Sequence, residues 1–259
     1  MQRAERLKSV ASANALELSG VSRVFGALVA VDNVTFSVTA GERRAILGSN
    51  GAGKTTLFNT ITGDFPPSNG RIRFFGEDIT ELPPYERIRR GLRRTYQNSL
   101  LFRGLPVIDN LYLAVRGVGR RRMSLLRPGE DHPARIAAQQ LAHAIHLEDV
   151  ADRPVSELSH GQQRQLEIGM ALAGAPRFIL FDEPAAGLSP AERRELVDIL
   201  KALPNHIGFI IIEHDLAVAL QVAETVTVMH QGRVFKHGLP VDIETDPEVQ
   251  KIYLGGRHG

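Results

Sequence analysis

Gly48-Ser49-Asn50-Gly51-Ala52-Gly53-Lys54-Thr55-Thr56 fits the spacing G-x-x-x-x-G-K-[ST]. Ahead of it, Arg44-Ala45-Ile46-Leu47 reads as a short buried strand. Behind it, Leu57, Phe58 and Ile61 stand at helical spacing up to Gly63. Strand, glycine loop and helix are the context in which such a loop cradles a polyphosphate. The glycines permit turns that a side chain would block. The N–H groups of the loop then point inward at the phosphates, and the helix N-terminus adds positive potential there. Lys54 supplies a cation for the β- and γ-phosphates. Thr55 offers a hydroxyl to Mg²⁺, and Thr56 reaches the α-phosphate.

The rest of the chain supplies acids where such a loop needs them. Phe178-Ile179-Leu180-Phe181 is an apolar run ending in Asp182-Glu183. Phe209-Ile210-Ile211-Ile212 is a second, ending in Glu213-His214-Asp215. Runs apolar on every residue suit parallel strands covered on both faces. The C-terminal ends of such strands gather at one edge, beside the phosphate loop. Asp182 is therefore expected to position Mg²⁺. Glu183 is expected to orient and deprotonate an attacking water.

Composition bounds the remainder. The 259 residues carry 31 Lys and Arg against 29 Asp and Glu, a net charge of +2 that makes no electrostatic case for nucleic acid. Basic clusters at Arg87, Arg89, Arg90, Arg93 and Arg94, and at Arg120 to Arg122, read as solvated helix faces or loops. The absence of cysteine excludes disulfides and thiolate metal sites. No apolar run approaches the roughly 20 residues that cross a bilayer, so a membrane role is peripheral.

Leu16–Val21, Asp32–Val38 and Arg71–Gly76 read as strands of a small antiparallel lobe. Pro83-Pro84 opens a helix. Residues from about 98 to 160 lack strand signals and read as mostly helical, most clearly at Arg135 to Leu147. Ser189-Pro190-Ala191-Glu192 starts another helix with a reciprocal cap. Val226–Met229 and Arg233–Phe235 flank a hairpin turn. The fold class is thus α/β: a P-loop core with a parallel-strand sheet, an antiparallel β-lobe and an inserted helical subdomain.

Leu158-Ser159-His160-Gly161-Gln162 begins a helix, with Ser159 as its N-cap and Gln162 at the capping-box position. This segment resembles the L-S-G-G-Q signature of ABC-type ATPases, with His160 in place of the commonest glycine. The resemblance implies that Ser159, Gly161 and Gln162 meet the γ-phosphate held by a second copy. Further motifs follow in the family's order. Tyr96-Gln97 resembles the Q-loop, whose glutamine reaches Mg²⁺ and the lytic water. His214 resembles the switch histidine. Phe25 resembles the aromatic that stacks on adenine. Ser189 stands where the family usually has the D-loop aspartate.

The resemblance runs from about residue 15 to 256, between an N-terminal arm at 1–14 and a tail at 257–259. The helical subdomain is placed at about 98–165. Arg94-Thr95-Tyr96-Gln97, Glu183-Pro184-Ala185-Ala186-Gly187-Leu188 and Ile252-Tyr253-Leu254-Gly255 look like the ATPases of branched-chain amino-acid importers. That likeness implies ATP and Mg²⁺ as cofactors and a homodimer, or a heterodimer with a paralogous ATPase. It also implies integral-membrane permease subunits, a solute-binding protein reached through them, and a place on the cytoplasmic face of the bacterial inner membrane. A related importer of urea or amides, a lipid-linked exporter, a soluble ABC ATPase and a nucleotide kinase are the competing readings. The kinase would lack the Leu158–Gln162 segment.

Overall fold

A computed structural model describes residues 14–95, 101–118 and 132–255. β1 (Asn14–Phe25) lies between β2 (Leu28–Thr39) and β4 (Asn69–Phe74), antiparallel to both. β5 (Glu77–Asp78) completes a sheet of order β2-β1-β4-β5. Asn14 therefore belongs to the sheet and not to the expected arm.

The larger sheet takes β3 (Arg43–Leu47), β6 (Leu92–Arg94), β7 (Phe178–Asp182), β8 (Gly208–Ile212), β9 (Thr225–His230) and β10 (Arg233–Gly238). Their order is β10-β9-β3-β8-β7-β6, with only β10 antiparallel to its neighbour. The unbroken apolar runs follow from double burial. Ile179, Phe181, Phe209 and Ile211 enter one core, which they share with the helices. Phe178, Leu180, Ile210 and Ile212 enter another, beneath the antiparallel lobe. Successive side chains alternate faces, and both faces are dry.

The helices are α1 (Lys54–Thr62), α2 (Pro84–Arg89), α3 (Val107–Val118), α4 (Pro133–Ala144), α5 (His160–Leu172), α6 (Pro190–Ala202), α7 (Leu216–Val222), α8 (Pro240–Glu244) and α9 (Pro247–Gly255). α3, α4 and α5 are inserted between β6 and β7. They close on Leu111, Ala138, Ala142, Ile145 and Leu166. α5 continues to Leu172, past the expected end of the insertion, and carries the chain back toward β7.

The first basic cluster is not a solvated face, which corrects the reading from sequence. Arg87 is 1% exposed. Its guanidinium donates to the carbonyls of Thr60 at 2.9 Å and Ile61 at 2.7 Å, both in the last turn of α1. It also donates to Thr80 at 2.8 Å and Leu82 at 2.8 Å. Last-turn carbonyls have no partner within their helix and carry partial negative charge. One planar fork satisfies two of them and ties in the loop before α2. Burial pushes the guanidinium down to about 10. Arg93 is buried too, and the Arg94 side chain, only 5% exposed, belongs to the site described next. Arg89 and Arg90 do face solvent, while Arg120 to Arg122 lie outside the described residues.

Candidate active site

The phosphate loop joins β3 to α1 and forms one wall of a cavity of about 610 Å³. Asn50, Gly51, Ala52, Gly53, Lys54, Thr55 and Thr56 line it. Glu183 and His214 face them from the ends of β7 and β8. Lys54 Nζ donates to the carbonyls of Gly48 at 2.7 Å and Ser49 at 3.0 Å, so the cation is held under the loop by its own backbone. Burial lowers the Lys54 pKa, and the nearby Glu183 and Asp182 carboxylates oppose that shift.

The loop is stapled to its surroundings. Gly232 N–H donates to Ala52 O at 3.1 Å, and Asp32 N–H donates to Gly232 O at 2.8 Å. Gly53 has φ +92°, and a Cβ there would fall 2.3 Å from Ala30 O. Only glycine permits that approach of loop to strand. Leu28, Val29, Ala30, Gln231 and Gly232 complete the wall. Sequence reasoning had not assigned these five to the site. Gln231-Gly232 was legible only as a hairpin turn.

Asp182 closes β7 and is almost wholly buried. Arg94 Nη2 donates to its Oδ2 at 2.6 Å, and Arg94 Nη1 pairs with Asp64 at 3.1 Å. Burial raises the Asp182 pKa, and Arg94 counters it. Asp182 Oδ1 is buried and, among the described residues, has no hydrogen-bond partner. A carboxylate held by an arginine on one oxygen and bare on the other fits a divalent cation bound through one carboxylate and phosphate oxygens.

Glu183 has φ +50°, which is rare for a residue with a side chain. The bend turns its carboxylate out of the sheet to meet His214, with Oε1 2.5 Å from Nε2. Glu183 and His214 are thus in contact in the cavity that the phosphate loop lines. Glu213, next to His214, is buried, and burial pushes its carboxyl up to about 7. The folded chain therefore holds the Glu213 proton more tightly than the unfolded chain does. The stability this confers is complete below the unfolded value of 4.5 and is lost as pH rises to about 7. Glu213→Gln keeps the shape and removes the charge. Thermal melts should show its stability gaining on the wild type between those two pH values, by on the order of 3 kcal/mol, and level above them.

The signature residues stand apart from this cavity. Ser159 caps α5 through Gln162 N–H at 3.1 Å, and Gln162 Oε1 accepts Ser159 N–H at 3.0 Å. Glu192 Oε1 accepts Gly161 N–H at 3.1 Å and lies 3.4 Å from Ser159 Oγ. A Cβ on Gly161 would fall 2.4 Å from that carboxylate oxygen. His160 Nε2 lies 3.2 Å from Ala186 O, which gives the departure from glycine a local partner. Ser189 caps α6 in a capping box with Glu192. Phe25 is outside the cavity wall. Its ring meets Phe65 edge-on at 5.3 Å, with Arg23 over its face at 4.6 Å. Gln97 lies outside the described residues.

A phosphate loop, a buried strand-end carboxylate and a carboxylate–histidine pair on one sheet edge define a nucleoside-triphosphate hydrolase of the P-loop class. Residues 31–186 match the family model described as ABC transporter. The chain belongs to the ABC transporter family, as one of its ATP-binding, ATP-hydrolysing cassettes. It is 36% identical over 249 residues to the high-affinity branched-chain amino acid transport ATP-binding protein BraF of Pseudomonas aeruginosa, covering 93% of this chain and 97% of that protein. It is also 36% identical to the lipopolysaccharide export system ATP-binding protein LptB of Escherichia coli, covering 87% and 90%. Among solved structures, the ADP conformation of MJ1267, an ATP-binding cassette of an ABC transporter, superposes with a TM-score of 0.82 at 31% identity. That match covers 93% of this chain and 99% of MJ1267.

Proposed function

We propose that this chain is the ATPase of an importer for branched-chain amino acids or related solutes, working on the cytoplasmic face of a bacterial inner membrane. The observation that carries the reading is the end-to-end likeness to BraF, joined to the paired Glu183 and His214 above the phosphate loop. Among the described residues no helix is long and apolar enough to cross a membrane. Permease subunits then supply the solute path, and a solute-binding protein reaches the chain only through them.

The phosphates lie against the N–H groups of Gly48 through Gly53 and against Lys54. Thr56 reaches the α-phosphate, and Phe25 lies beside the adenine. Thr55 and Asp182, with Gln97 as the resemblance implies, would hold Mg²⁺, which when bound would neutralise charge on the phosphate oxygens. Glu183 accepts a proton from the attacking water. His214 orients that water and contacts the γ-phosphate. Ser159, Gly161 and Gln162 of a second cassette, identical or paralogous, close over the same γ-phosphate with backbone donors and a hydroxyl.

The sandwich is tested by Ser159→Arg. ATP should still bind the monomer, while light scattering should show no ATP-driven dimer in a hydrolysis-deficient background. An undiminished dimer rejects the model. LptB supports a second reading, an exporter of lipid-linked substrate. ATP-dependent uptake of labelled leucine, isoleucine or valine into vesicles with the neighbouring subunits separates the two. Uptake supports the importer, and its absence beside lipid release supports the exporter.

A further inference from the structure

Glu213 takes no part in the chemistry proposed above, yet it is 2% exposed at the end of β8. Its Oε1 accepts the N–H of Ala185 at 2.7 Å. Ala185 lies two residues beyond Glu183, across a proline. Pro184 has no N–H. The Ala185 N–H is therefore the first donor after Glu183 by which that turn can be fastened. On the other side, Asp182 is fixed in the β7–β8 ladder, and Glu183 N–H donates to Ile212 O at 2.9 Å. Glu183, with φ +50°, sits between these two fastenings. A residue with a side chain keeps such a backbone only where its surroundings impose it.

We propose that Glu213 is a positioning residue: its carboxylate clamps the Ala185 N–H and so holds the strained turn that aims Glu183 at its water and at His214. The proposal rests on Glu183 being the base. Unfastened, the turn relaxes toward negative φ and withdraws the Glu183 carboxylate, while the phosphate loop on β3 and α1 is untouched. Turnover should then fall without loss of nucleotide affinity, a pattern that general loosening of the fold does not give.

The experiment compares ATP turnover and displacement of a fluorescent nucleotide in the full-length chain. Glu213→Met keeps the bulk and deletes the acceptor. Its kcat should fall about tenfold or more, with ATP affinity within about twofold of wild type. Glu213→Gln keeps an oxygen acceptor and should restore kcat to within about threefold. Normal kcat in Glu213→Met, or lost kcat in folded Glu213→Gln, overturns the proposal. Should Glu213→Met fail to fold, Ala185→Pro deletes the donor from the other end and should give the same selective loss of kcat. Normal turnover in Ala185→Pro overturns the clamp. Glu183→Gln runs in parallel. If it hydrolyses ATP normally, the base assignment fails; if it is silent while Glu213→Met is active, only the clamp fails.

Discussion

Glu183→Gln should leave ATP binding intact and lower turnover by about 10²–10⁴-fold or more. The amide preserves the size of the side chain and its contact with His214, so the cavity keeps its shape. What it loses is the ability to take a proton from water. The phosphate-binding groups lie in the loop between β3 and α1 and at the start of α1, whereas Glu183 follows β7, so affinity and chemistry are carried by different elements. Bound nucleotide should accordingly persist, and the two-cassette complex should accumulate. Single-turnover hydrolysis alongside equilibrium nucleotide binding measures both. Near-normal hydrolysis in the variant rejects Glu183 as the base.

The second large effect is on stability and lies at the far end of α1. Arg87→Met should lower stability by at least about 3 kcal/mol, since the carbonyls of Ile61, Thr80 and Leu82 lose this donor together, while Thr60 keeps the Gly63 N–H, and each stranded acceptor costs roughly 1–3 kcal/mol. For a chain of this size that amounts to a fall in Tm of about 6–12 °C or more. Arg87→Lys should recover only part of the loss, because one ammonium cannot reproduce a fork aimed at Thr60, Ile61, Thr80 and Leu82. A melting temperature unchanged in Arg87→Met shows that the strut is dispensable.

The architecture was legible wherever a local pattern carried it. The β7 and β8 runs, the Ser159 and Ser189 capping boxes and the turn at Gln231-Gly232 each follow from neighbouring residues alone. Glu183 and His214 were legible for a further reason. Strand ends converge on the phosphate loop, and the structure brings both side chains into its cavity. Illegible features share one trait, which is that their partners are distant in the chain. Arg87 is hydrophilic and helical, and nothing local reveals that α1 ends against it. Arg94 finds Asp182, and Glu192 finds Gly161, only after the sheet and the inserted helices are assembled. Charge read along a chain points to solvent by default. A guanidinium in the interior is explained only by carbonyls or carboxylates that folding brings to it.

The two dry faces of β8 make that strand a ruler for the whole engine. Deleting one residue within it would exchange the occupants of both cores at once, pushing Phe209 and Ile211 where Ile210 and Ile212 belong. The same slip would retract Glu213 and His214 by one position from the catalytic edge. Insertions and deletions are therefore intolerable in this segment, however conservative the replacement chemistry. Variation in length must be absorbed in the connections that precede and follow it.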